Sequence, residues 1–156
     1  MSGVSYALWA FAAGALIPLM GILNAGLARA AGGPVAATVL LLATALVASL
    51  VLALVTMTRF PSLEALLRIP PAQYTGGLIV GLYVVSITFL APRFGVGNAI
   101  LFAVSAQLIT SAAIDHFALA GAVGRPVNGV RLVGLAVVVA GVVLTQMSDR
   151  LGGTGR

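Results

Sequence analysis

Few side chains in this 156-residue chain can do chemistry, and their densest run is Gln107, Ser111, Asp115 and His116. An amide, a hydroxyl and a carboxylate at i, i+4 and i+8 share one face of a helix. The imidazole lies about 100° round from the carboxylate. Such a track can hydrogen-bond a solute, and a carboxylate beside an imidazole can hand on protons. Pro18 and Asn24 form a second, sparser set: the proline removes the backbone donor to the Gly14 carbonyl, and Asn24 supplies another amide. Each has an ordinary structural role as well. Asp115 and His116 can anchor a helix end, the histidine favourably at a C-terminus and the acid against the dipole. Gln107 can bond a neighbouring helix, and Asn24 can cap its own. There is no acid pair, metal-ligand cluster or nucleophile–base set, so no enzyme is expected, and no cofactor or metal. The chain has no cysteine, which removes disulfides and thiol chemistry.

The elements that must carry these residues are set by composition. The chain is 61% hydrophobic and 7% charged, against roughly 45–50% and 25% in a soluble domain. Too few charges remain to cover a water-facing surface. Apolar runs of the length that crosses hydrocarbon place helices at about residues 4–27, 35–57, 74–90, 96–117 and 130–147. The expected fold is all-α, one transmembrane domain over residues 1–156, with a multi-pass location in a bacterial inner membrane and the lipid bilayer as its main partner. The fourth run is short of a full crossing unless it continues through Asp115-His116-Phe117, which puts both ionisable groups at or just inside an interface. Ser62 to Arg68 can form one or two interfacial turns. Trp9, Tyr6 and Tyr74 are expected as interfacial anchors. Ala28-Arg29-Ala30 loosely resembles a cleavage site, but no basic residue precedes the long first run, so a retained helix is expected.

The eight basic residues are all arginine and scatter over the loops, so no nucleic-acid surface is expected. With five spans, one side holds Arg59, Arg68, Arg125 and Arg131, and the other holds Arg29, Arg93, Arg150 and Arg156. The positive-inside cue is therefore balanced. An even split predicts insertion in both orientations and an antiparallel homodimer, in which two opposed copies give an inverted-repeat arrangement. A single orientation set by another cue is the alternative. Small residues mark where helices can touch: Gly14, Pro18, Gly21 and Ala25 on the first span, Gly77 and Gly81 on the third, and Gly134 and Gly141 on the fifth. The last pair, seven residues apart, is the expected dimer contact, with packing inside one subunit as the alternative.

Several segments carry a resemblance to a known family. Gly14-Ala15-Leu16-Ile17-Pro18-Leu19 with Asn24-Ala25-Gly26-Leu27-Ala28-Arg29 is similar to the first-helix motif of the YdcZ-type family of the drug/metabolite transporter superfamily. Pro70, Gly76-Gly77, Gly81, Tyr83 and Ala91-Pro92-Arg93-Phe94-Gly95 resemble its third helix and following loop. The most specific part is Gln107-Leu108 with Ile114-Asp115-His116-Phe117, then Gly121, Arg125-Pro126, Arg131-Leu132 and Gly134. Two positions depart: Met20 stands where the family usually has Gln, and Ala106 where it has Gly. The first loses a membrane amide and the second adds a methyl beside Gln107. The resemblance implies a half-size, five-helix, dual-topology member.

It also implies alternating access through a central cavity. An unidentified small molecule would pass Pro18, Met20, Asn24, Gln107 and Ser111, with Asp115 and His116 as gate or proton couplers. The first span has no acid, so the glutamate-based cation exchange of small multidrug exporters in the superfamily does not carry over. A dual-topology channel and a non-transporting structural subunit are the competing readings.

Overall fold

The computed structural model describes residues 3–119, 124 and 126–152, the side chains of 149–152 excepted. Gly121, Arg125 and Arg156, and the Arg150 side chain, lie outside what is described. The helices are α1 (Gly3–Ala31), α2 (Pro34–Val55), α3 (Leu63–Leu67), α4 (Pro71–Phe94), α5 (Val96–Phe117) and α6 (Gly129–Gly152). Five of the six, all but α3, are long and apolar enough to cross a membrane. The chain forms two compact units, Met1–Val96 and Gly97–Arg156.

Most helix ends lie beyond the edges that the apolar runs suggest, and backbone chemistry explains where they stop. α1 continues four residues past Leu27 until Gly32 takes φ 85°. There the Gly33 N–H bonds Ala28 O at 2.9 Å, closing the helix with a left-handed glycine that an L side chain would strain. α2 starts with Pro34 in its first turn, where a missing N–H costs nothing. It ends in the same kind of closure: Thr58 N–H bonds Ala53 O at 2.9 Å. Met57, not a glycine, holds the left-handed position at φ 51°.

α4 likewise begins at a proline, Pro71, and runs through Pro92 to Phe94. Arg93 supports that last turn by donating to Phe89 O at 2.8 Å and lying 3.8 Å over the Phe89 ring. Only Gly95, at φ 88°, separates α4 from α5. The turns suggested at Ser62–Arg68 are α3: Ser62 Oγ caps it by accepting from Ala65 N–H, and Glu64 pairs with Arg68. Tyr74, suggested as an interfacial anchor, donates its hydroxyl to Leu66 O at 2.9 Å and ties α3 to the start of α4.

In the first unit α1, α2 and α4 pack against one another in all three pairings. Small residues fill the contacts: Gly21, Ala25, Ala37 and Ala91 are buried, with Val84 and Ile87. Close backbone approach drives association where lipid removes the hydrophobic incentive. The small-residue stripe on α1 is used in part. A methyl at Gly21 would sit 3.9 Å from Val96, whereas Gly14 has nothing within 4 Å. On α4 a methyl at Gly81 would meet Leu42 at 3.9 Å, and Gly77 faces open space.

The second unit is an antiparallel pair of helices pinned near both ends. Gln146 Nε2 donates to Asn98 Oδ1 at 2.8 Å near one end, and Arg131 reaches Asp115 near the other. Asn128 starts α6, its Oδ1 accepting from Arg131 N–H at 2.9 Å. Gly134 and Gly141 are exposed with nothing within 4 Å.

Candidate functional site

Asn24 sits well inside α1, seven residues before the helix end, so it does not cap it. It is 2% exposed, between Gly21 and Ala25 on the packed face. With α2 as the return pass, α1 and α4 run in the same direction. Asn24 and Thr88 therefore both lie about 10 Å short of their helix ends at ~1.5 Å per residue. Asn24 Nδ2 donates to Thr88 Oγ1, and Thr88 Oγ1 donates in turn to Val84 O at 2.7 Å. That chain of donors orients the amide. Asn24 Oδ1 is left buried with no hydrogen-bond partner. A buried unmade bond of this kind costs ~1–3 kcal/mol.

Beside Asn24 runs a groove of about 350 Å³ in the first unit, its lining including Leu16, Met20, Leu23, Leu41 and Thr44. Thr44 turns its hydroxyl back onto Leu40 O and Leu41 O, so it offers the groove no free donor. Met20 and Asn24, both expected on a transport path, share this groove; Pro18, half-buried on α1, does not line it.

In the second unit, Gln107 falls at the midpoint of α5 and is exposed, with Ser111 exposed one turn further on. The Ser111 hydroxyl bonds back to Leu108 O at 2.9 Å. Gln107 has no hydrogen-bond partner among the described residues of its own chain. Asp115 Oδ2 accepts from Arg131 Nη2 at 2.7 Å, and each side chain is 33% exposed. At that exposure the pair contributes at most about 1 kcal/mol. Arg131 thus holds one oxygen of Asp115, and the other oxygen is not engaged by it.

His116 accepts from Val127 N–H at Nδ1, 3.1 Å away, and stands edge-on to Phe117 with ring centroids 4.8 Å apart. The imidazole therefore carries its hydrogen on Nε2 when neutral. It lines a groove of about 380 Å³ with Ile109, Ala112, Phe117, Leu132 and Leu135, which Gln107 and Ser111 do not reach. The residues of the polar track on α5 thus divide, with Asp115 and His116 bound to the turn before α6 and its first residues, Ser111 bonded to its own helix, and the mid-helix amide bare.

Sequence reasoning missed Thr88, Arg131 as the partner of Asp115, and the Asn98–Gln146 bond. Thr88 gave little signal, since a membrane threonine usually satisfies itself on the carbonyl four residues back, as it also does here. The other two were accessible: an antiparallel helix pair joined near 118–128 brings 115 level with 131 and 98 level with 146.

Comparison with curated proteins gave no match, and no solved structure matched. A family model described as "Putative inner membrane exporter, YdcZ" matches residues 5–144. That span takes in three of the five membrane-competent helices whole and most of α1 and α6, with Asn24, Thr88 and the whole polar track of α5. This multi-pass inner-membrane chain belongs to the YdcZ family of the drug/metabolite transporter type.

Proposed function

We propose that the chain is a small-molecule transporter built from two antiparallel copies, with alternating access through a cavity where the copies meet. The observation that carries this reading is Gln107: an exposed amide with no partner among the described residues of its own chain, halfway along a membrane-competent helix. Hydrocarbon leaves such a group unsatisfied at a cost, so a polar cavity or a second copy is its natural surrounding. Family membership supports transport across the inner membrane, and the balanced arginines support insertion both ways.

Pro18, Met20 and Asn24 contribute the path from α1, and Gln107 and Ser111 from α5. Asp115, clasped by Arg131, and His116, bonded to Val127, form a gate whose opening frees a carboxylate and an imidazole together. If protons drive transport, these two carry them. Gly134 and Gly141, open on α6, supply a close contact for the second copy.

Purified protein screened for thermal stabilisation against a compound panel, followed by flux of each hit into proteoliposomes, tests the function. Saturable flux that falls on Gln107→Leu, without unitary channel currents, supports it. Channel-sized currents, or no flux of any stabilising compound, overturn it. Reporters fused to the C-terminus test the dimer: strong signal from one compartment alone overturns the antiparallel arrangement.

A further inference from the structure

The unpartnered oxygen of Asn24 and the groove beside it restrict what can bind there, and we infer that the first unit holds a binding site for a neutral, mainly apolar molecule carrying one O–H or N–H donor. The inference names the ligand class for a residue of the proposed path, and in that sense rests on the transport reading. Its grounds are local to α1, α2 and α4.

The amide cannot turn round to relieve itself. With Nδ2 toward Thr88, the hydroxyl keeps its bond to Val84 O. Reversed, Thr88 would have to leave Val84 O to donate to Oδ1, so one hydrogen bond would stand where two do now, and both amide hydrogens would be stranded in place of one hydrogen and the oxygen. Oδ1 is thus held as an acceptor, 2% exposed as a residue and without a donor.

The groove lining is otherwise apolar, and its other polar lining group, the Thr44 hydroxyl, is bonded to its own helix. No charged residue lines it. The first unit's one acid, Glu64, lies on α3 and pairs with Arg68. A cation would therefore enter without a counter-charge, which low-dielectric surroundings penalise heavily. An anion would meet an acceptor. A neutral donor on an apolar body suits the walls and satisfies the oxygen once the side chains that cover Oδ1 move aside, and a volume near 350 Å³ suits a small aromatic or alkyl molecule. Thr88 is the positioning residue, since its hydroxyl fixes the amide and need not touch the ligand.

Three probes on one 4-butylphenyl body test this: 4-butylphenol, its methyl ether 4-butylanisole, and 4-butylbenzyltrimethylammonium. Affinities come from the concentration dependence of Tm of the purified full chain. The phenol is expected to bind at least tenfold tighter than the ether, and the cation weakest. Asn24→Leu should abolish the preference while the ether still binds, and Leu41→Trp, which fills the groove and leaves the amide in place, should exclude all three. Equal binding of phenol and ether by the unaltered protein overturns the proposal, as does tighter binding of the cation. Phenol preference without flux of any compound would defeat transport and leave this site standing. Flux without phenol preference would do the reverse.

Discussion

The two units answer the same problem, polar side chains in hydrocarbon, in different ways. The first buries its polar pair at depth: Asn24 and Thr88 are each 2% exposed inside a three-helix packing of glycine and alanine contacts. The second keeps its polar bonds near its ends, Asn98–Gln146 and Asp115–Arg131, and leaves Gln107 bare between them. Among the described residues, Asn24 Oδ1 in the first unit is the one buried side-chain nitrogen or oxygen left without a partner. The second unit is held like a ladder with two rungs, and its midsection has the amide and open glycines that a partner would cover. Depth of packing and depth of polarity go together in the first unit and separate in the second. Perturbations should therefore cost folding in the first unit and association or gating in the second.

The largest effect is expected from Ala37→Leu. Ala37 is 0% exposed at the start of α2, and three added carbons have no space. Overpacking should cost ~3 kcal/mol in reversible unfolding from mixed micelles; a change below about 0.5 kcal/mol would break the picture of a tight first unit. Next comes Thr88→Val, which keeps the shape and removes the bond to Asn24. Stranding the amide should cost ~1–2 kcal/mol, near the upper range for polar contacts between membrane helices.

Asp115→Asn is expected to cost no more than about 1 kcal/mol, because the pair is partly exposed and an amide still accepts from Arg131. Its signature should be kinetic: if the pair is a gate, flux changes more than stability. His116 separates by chemistry. Asn at that position can present an acceptor near Nδ1 to the Val127 N–H, whereas Phe cannot, so H116N should retain more stability than H116F. The difference is worth ~0.5–1.5 kcal/mol. Smallest on folding is Gly141→Leu: with nothing within 4 Å, the side chain adds little strain to the monomer. If two copies associate as proposed, cross-linking should nonetheless show a lower dimer fraction. An unchanged dimer would remove α6 from the interface and leave α5 as its remaining candidate.

The sharing of one α5 face by Gln107, Ser111 and Asp115 could be read in advance because it depends on helix period alone. So could the five spans, which follow from apolar length. Helix ends were less legible. α1 outran its apolar stretch to a glycine closure, and α4 continued through Pro92, with Arg93 bonded to Phe89 O in its last turn. Met57 gave no sign that it would hold a left-handed position usually taken by glycine.

Composition and spacing by themselves determined that this protein lives in the membrane, that five of its helices are long and apolar enough to cross it, and that Gln107, Ser111 and Asp115 share one helix face. Those properties are local, since each depends on a run of neighbouring residues, through the cost of transferring it from water or through the helix period. Only the tertiary structure decided that Asn24 faces Thr88, that Oδ1 is left without a donor, and that Arg131 occupies Asp115. Which amide meets which hydroxyl depends on how each helix is rotated against its neighbours. That rotation is set by packing of small residues far apart in the chain, such as Ala25, Ala37 and Ala91, and no single segment encodes it.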